Sequence, residues 1–298
     1  MSEIHVHTDH DDHDHGHGHG TLAVADRHAH ESEIYDAMAV TMLAELSDDE
    51  LAVRADRIPF HNREHVDYLS FAIDQLRPLA GKRILEVGAG SGMLAVWLAL
   101  QGADVTGLDV SGGILEVAAK RAAVSGVAHR TRFVHVPIEE FDDPPASFDA
   151  VIGNNVVHHF ERDLAMANLA RLLTPDGRAA FCEPVLFLPE IARRARYSQL
   201  VSRRFPPHTH TPDERSLDQR DLAIVERYFD SVSWRPFQLL CRLQNFVELS
   251  DPTWNRLEAI DRATLGRIPP ARWLARMIVL TLQSPRPVQP QPEGNSPR

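Results

Sequence analysis

Several things are scarce in this 298-residue chain, and each scarcity excludes something. Two cysteines, Cys182 and Cys241, are too few for a disulfide framework or a zinc quartet, and they fit a reducing, cytoplasmic setting. No apolar run approaches the roughly 18–20 residues that span a bilayer, so no membrane partner is expected. The first 20 residues are polar and acidic and do not read as a secretory signal. Lysine is nearly missing: Lys82 and Lys120 stand beside 29 arginines. Bases as a whole fall short of acids, 31 against 42, for a net charge of −11. That deficit is local. Residues 1–53 hold 13 acids and one base, Arg27, while the rest of the chain holds 29 acids and 30 bases. A near-neutral body has no field to draw it to a phosphate backbone, so nucleic acid is not an expected partner either.

What is present divides the chain. Residues 1–30 carry nine of the 17 histidines, interleaved with Asp and Gly, and have no apolar period. Such a segment buries too little to offset its ordering entropy and is expected to be a disordered arm. Residues 31–80 read as a helical cap: Ile34, Met38, Met42 and Leu46 recur at spacing four through a helix over 31–57. Ser47-Asp-Asp-Glu50 resembles a capping box for a short helix, and a further helix is expected over 62–77. From residue 81 to 183 short apolar strands alternate with helices. Strands are expected at 83–87, 104–109, 132–136, 148–153 and 178–183, with helices near 92–100, 112–124 and 161–172 and a turn at Thr174-Pro-Asp-Gly177. That alternation predicts an α/β fold, a parallel sheet covered on both faces. Residues 184–283 are read as the rest of the core with a substrate lid: helices over 189–203 and 217–229, strands at 231–240 and 277–282, and a helical insertion over 252–265. Residues 284–298 form a Pro-rich tail.

The most informative stretch is Glu86-Val-Gly88-Ala89-Gly90-Ser-Gly92. It follows a strand and opens a helix, where backbone must approach a ligand with no Cβ in the way. A dinucleotide G-x-G-x-x-G fingerprint would need glycine at 93, which is Met93. Asp109 closes the next strand, 19 residues after Gly90, where a carboxylate can accept both hydroxyls of a ribose.

The E-x-G-x-G-x-G spacing resembles motif I of the class I S-adenosylmethionine (SAM) dependent methyltransferases, small-molecule branch. The resemblance runs over residues 82–183. Phe148-Asp149 opens the fourth strand, and Asn154-Asn155-Val-Val-His158-His159-Phe160 follows it. Leu173-Thr-Pro-Asp-Gly177 matches the family's L-x-P-G-G turn with Asp176 for the first glycine. The resemblance implies a Rossmann-like doubly wound seven-stranded sheet with an antiparallel last strand. It implies that Glu86 and Gly88 flank the methionine end of SAM and that Ala89, Gly90 and Gly92 pass under the adenosine. Asn154 would stand at the cofactor end of the fourth strand. Asp109 would hold the ribose and Val110 the adenine face. Pro137 occupies the usual position of the acid that takes the adenine amine, which leaves that bond to Glu139 or to a main-chain carbonyl, with Ile138 offering its N–H.

For the chemistry, the protein must place a nucleophile in line with the methyl group and remove a proton from a hydroxyl. His158 or His159 is placed for that, and Glu183, at the end of the fifth strand, is placed to bind a substrate amine or orient a histidine. Tyr35, His61, His65, His208, His210 and Arg215 are candidates for the walls of the site. No Asn-Pro-Pro-aromatic turn follows Asn154, so nucleic-acid amino methylation is not expected. The acceptor is expected to be a small organic molecule, methylated at oxygen before nitrogen or carbon. Two rivals stand beside this reading: a non-methylating SAM binder of the same fold, and metal handling by the histidine arm. Expected partners are the small-molecule substrate, a second copy of the chain as homodimer, and a weakly held divalent metal on the arm.

Overall fold

The computed structural model describes residues 24–59, 63–185, 217–245 and 247–287. The readings that fall on the histidine arm before residue 24, on His61, on a helix over 189–203, on His208, His210 and Arg215, and on most of the Pro-rich tail lie outside the described residues.

Seven strands pair into one sheet: β1 (Arg83–Val87), β2 (Asp104–Asp109), β3 (Thr131–His135), β4 (Phe148–Asn154), β5 (Leu173–Pro184), β6 (Phe229–Phe237) and β7 (Met277–Pro285). Their order is β3-β2-β1-β4-β5-β7-β6. The first five run parallel, and β7 lies antiparallel between β5 and β6. The reversal of strand order beside β1 is the switch point where open α/β sheets bind ligands, at the carboxyl ends of the strands. The central strands are buried on both faces, as parallel strands with helical covers must be, and so they read as apolar runs rather than alternations. Pro236 is tolerated because β6 is an edge strand.

One face is covered by α3 (Arg63–Leu76) and α4 (Met93–Leu100), whose Leu69, Ile73, Leu76 and Leu98 pack on Ile84, Ile152, Cys182 and Val279. The other is covered by α6 (Arg162–Leu172) and α7 (Gln219–Val225), packed on Leu85, Val151, Phe181 and Leu280. Gln219–Val225 is shorter than the expected 217–229, because the chain turns there into β6. The insertion between β6 and β7 is α8 (Asp251–Arg267), flanked by 3₁₀ turns at Cys241–Asn245 and Pro269–Leu274.

Two expectations are corrected. The first concerns α1 (Val24–Glu45), which starts inside the segment read as disordered. Its buried stripe is Tyr35, Ala39, Met42, Leu43 and Leu46, packed on α5 (Gly112–Val124), and Met38 is exposed. A strict spacing of four drifts about 40° per step on a 3.6-residue helix, so the Ile34-Met38 line walks off the contact. The chain leaves helix at Leu46 and re-enters at α2 (Asp48–Leu51), where Ser47 and Glu50 close the capping box: the Ser47 amide donates to Glu50 Oε2 at 3.0 Å and the Ser47 hydroxyl at 2.8 Å. The second correction concerns where β5 begins: Leu173 already pairs with Phe148, and the Thr174–Gly177 turn interrupts the strand, four residues standing opposite Asp149 alone before pairing resumes at Arg178 with Ala150.

Candidate active site

The glycine loop leaves β1 and enters α4. Gly88, Gly90 and Gly92 all take positive φ, at +71°, +49° and +76°, which L side chains rarely adopt. They serve different ends. A Cβ on Gly92 would lie 2.6 Å from Ala118 Cβ, so this glycine lets the loop pack on α5 and does not open onto the cleft. A Cβ on Gly90 would meet nothing within 4 Å, so the space above it is open to a ligand. The Gly90 amide donates to Asp109 Oδ2 at 2.8 Å, and the Ser111 amide to Asp109 Oδ1 at 3.0 Å, which ties the loop to the end of β2. The burial of Asp109 raises its carboxyl above the usual range, against the pull of the Ser111 and Gly90 amides.

The cleft between the ends of β1, β2 and β4 is lined by Gly88, Asp109, Val110, Ile138, Glu139 and His159, all of them site residues expected from the sequence. Among the described residues, three buried acceptors on β1, β4 and the segment after β3 have no hydrogen-bond partner: Glu86 Oε2, Asn154 Oδ1 and Glu139 Oε2, of which Glu139 lines the cleft. Orphaned acceptors are costly in a protein interior, and the one in the cleft lining marks where a ligand's donor belongs. Glu86 is driven strongly upward in pKa, first by burial and then by the nearby Asp109. Glu139 is likewise raised by burial, with its Oε1 taken by the Glu161 amide at 2.7 Å. An adenosyl amino acid fits this donor set: an ammonium toward Glu86, ribose hydroxyls toward Asp109 and an amine toward Glu139.

Beyond β4 the chain turns at Asn155, in the left-handed region at φ 55°, which Asn tolerates. The turn aims two amides at one carboxylate: Val156 and Val157 each donate to Glu183 Oε1 at 2.8 Å. Glu183 Oε2 meets His158 Nδ1 at 2.8 Å. Glu183 is fully buried and His158 nearly so, at 0% and 7% exposed. With three bonds made and no exposed surface, Glu183 is closed to a substrate amine; of the two roles expected for it, orienting a histidine is the one its contacts and burial allow. A carboxylate partner requires Nδ1 to be the donor, which leaves the base lone pair of His158 on Nε2. The His159 ring lies 4.1 Å from the His158 ring, centroid to centroid, and faces the cleft, with Nδ1 3.4 Å from Glu31 Oε2.

The N-terminal helical cap does wall the cleft, but through two residues of α1 that the sequence reading did not single out. His28 and Glu31 close one side and leave a cavity of only about 50 Å³. The reading also missed Asp36, whose Oδ1 accepts from Ser111 Oγ at 2.5 Å and from the Gly113 amide at 2.9 Å and so fastens α1 to the start of α5. No local signal marks Asp36, since its partners lie 75 and 77 residues away. Tyr35 packs with that seam, and His65 stacks edge-on against Tyr68 in α3, away from the cleft residues. Among the described residues no cluster of three or more His, Cys, Asp or Glu is arranged to hold a metal ion, and no helix is long and apolar enough to cross a membrane.

Residues 84–177 match the family model of a methyltransferase domain. The chain is 32% identical over 170 residues to a ubiquinone biosynthesis O-methyltransferase from Ruegeria sp. strain TM1040, covering 53% of this chain and 68% of that protein. This chain is a class I SAM-dependent methyltransferase. Its cofactor is S-adenosylmethionine. The methyltransferase fold also appears in two distant solved structures. Geranyl diphosphate C-methyltransferase from Streptomyces coelicolor A3(2) superposes with a TM-score of 0.55 at 12% identity, over 87% of this chain and 97% of that one. The 4+2 cyclase SpnF superposes with a TM-score of 0.52 at 17% identity, over the same shares.

Proposed function

We propose that this methyltransferase methylates a small organic acceptor, at oxygen in preference to nitrogen or carbon, with His158 as the general base. The observation that carries this reading is the buried His158–Glu183 pair at the carboxyl edge, with His158 three residues past Asn155. A base oriented by a buried carboxylate is what proton removal from a hydroxyl needs, and an acceptor attacked through an already nucleophilic carbon or free amine needs it less.

When bound, SAM supplies a sulfonium-activated methyl group. The chain's own residues do the rest. Glu86 and Asn154 offer acceptors for the amino-acid end and Asp109 for the ribose. Ile138 and Val110 wall the adenine, and Glu139 takes its amine. Glu183 is a positioning residue: through Oε2 it fixes the His158 ring, and through Oε1 it pins the turn that carries it. His158 Nε2 accepts the acceptor's hydroxyl proton as that oxygen gains nucleophilicity. His159, beside it, forms the cleft wall and meets Glu31 of α1, so it excludes water from the transfer path.

The test is methyl transfer from labelled SAM to a panel of phenols, alcohols and amines. Transfer to a hydroxyl, with His158→Gln slowing kcat by about a hundredfold or more and His159→Gln changing mainly KM, supports the assignment; positioned general bases typically contribute about 10²–10⁴ in rate. Tight SAM binding with no transfer to any acceptor would instead favour a non-methylating role for the same fold.

A further inference from the structure

A second, far larger cavity of about 550 Å³ opens at the same edge of the sheet, between α3, the end of β6 and the insertion that carries α8. Its position follows from register. Glu183 of β5 and Pro236 of β6 both pair with Ile278, one on each side of β7, so the cavity lies level with the end of β5. Two strand spacings of about 4.8 Å separate Pro236 from the Glu183 backbone by roughly 10 Å along the edge, with the cavity on the α3 face and the Glu183 side chain on the α6–α7 face. Its size is that of a site for a drug-sized molecule.

The lining mixes an apolar body with unspent cations. Tyr68, Phe71, Phe237 and Trp254 supply the rings. The Arg235 guanidinium lies over two of them, 4.4 Å from the Phe71 centroid and 5.2 Å from that of Phe237, and makes no hydrogen bond or ion pair among the described residues. Arg272 lies over Trp234 at 5.1 Å, and its Nε is buried without a hydrogen-bond partner. Ring contacts fix the plane of a guanidinium while leaving its N–H edge for a bidentate acceptor.

The acids of the lining are mostly spent. Asp261 accepts the amides of Leu239, Leu240 and Cys241. Glu258 pairs with Arg262, and Asp74 with Arg77. Asp67 alone has no described partner, and burial together with Glu258 pushes its carboxyl up to about 6. Among the described residues Arg235 and Arg272 thus have no ion-pair partner within reach, and neither has Asp67, though Glu258 acts on Arg235 and Arg262 on Asp67 across the pocket.

We propose that this cavity binds an oxyanion, carboxylate or phosphate, carried on an apolar or aromatic body, with Arg235 and Arg272 as its anchors. On the methyl-transfer reading above, on which this step rests, that ligand is the acceptor. Its anionic end sits under the insertion on the α3 face, and its reacting end must cross over the carboxyl ends of the strands to reach His158.

Calorimetric titration of the full-length protein with 2-naphthoate, 2-naphthyl phosphate, 2-naphthalenemethanol and 2-naphthylmethylamine tests it. The expected result is that at least one oxyanion binds about tenfold or more tighter than the alcohol and the amine. Arg235→Gln should remove that preference, and Arg235→Lys should retain part of it. Equal affinities for all four probes, tighter binding of the amine (which would make Asp67 the anchor), a preference that survives Arg235→Gln, or no binding of any probe would each overturn the proposal. The comparison among probes on the unaltered protein stands even where a variant fails to fold. S-adenosylhomocysteine titrated into the same samples separates the two readings: its loss sinks the cofactor cradle, while the naphthyl series alone decides the cavity.

Discussion

Glu86 shows what a binding site costs a protein that holds no ligand. Its side chain is buried beside Asp109, with Oε2 unpartnered. In the unfolded chain this carboxyl titrates in the ordinary range; in the fold it keeps its proton to higher pH. The folded state therefore binds more protons across that window, so apo stability falls as pH rises through it and stays lower above it. Glu86→Gln should raise the melting temperature of the apo protein at pH 8, with the gain vanishing below the ordinary carboxylate range, and should weaken S-adenosylhomocysteine at every pH. A destabilised variant at pH 8 would show that the Glu86 bond to the Ala95 amide outweighs the cost of its burial. Glu183 is the opposite case: both oxygens are occupied, and removing them strands two backbone amides and a ring nitrogen in the interior. Glu183→Ala should cost at least about 2–3 kcal/mol in denaturant unfolding, from unsatisfied buried donors at about 1–3 kcal/mol each. Glu183→Gln should fold better, because an amide oxygen can still accept from Val156 and Val157, yet lose kcat with KM little changed.

At the scale of elements, the glycine loop and α1 divide between packing and binding. Gly92→Ala drives a Cβ into Ala118 and should unfold the loop at lower temperature. Gly90→Ala meets open space, so it should cost only the strain of positive φ, about 1–2 kcal/mol, while losing proportionally more cofactor affinity. Equal loss of stability in the two variants would contradict this division. The cavity of about 50 Å³ left by His28 and Glu31 is several-fold smaller than ligand sites usually are, roughly 300–1,000 Å³. We predict that the first turns of α1 retreat when SAM binds, while the Asp36 bonds to Ser111 and Gly113 hold. Hydrogen exchange should show residues 24–31 changing protection on binding S-adenosylhomocysteine while 36–45 hold still. What could be read from sequence follows the same line. The loop, Asp109 and the strands of the core were legible because each is a local pattern: glycine where φ is positive, a carboxylate closing a strand, apolar runs between turns. Asp36, Glu31 and the closed-off state of Glu183 were not, because each is defined by partners on other elements. The turn at Thr174–Gly177 was legible from its Pro and Gly, but the pairing of Leu173 with Phe148 ahead of it was not, because that partner lies on β4.

For the whole molecule, the sheet edge organises everything. The cofactor cleft stands over β1, β2 and β4, the His158–Glu183 pair over β4 and β5, and the aromatic cavity over β7 and β6, in strand order. The net charge of −11 plays little part in this, since most of it lies before residue 54 and the body is near neutral. The claim on which the arrangement depends is that Asp109 holds the ribose of SAM. Calorimetric titration of S-adenosylhomocysteine into the protein and its Asp109→Ala variant tests it most directly. The account predicts a loss of more than tenfold in affinity, over about 1.4 kcal/mol, with the variant still folded; an unchanged dissociation constant in a folded Asp109→Ala protein would contradict it.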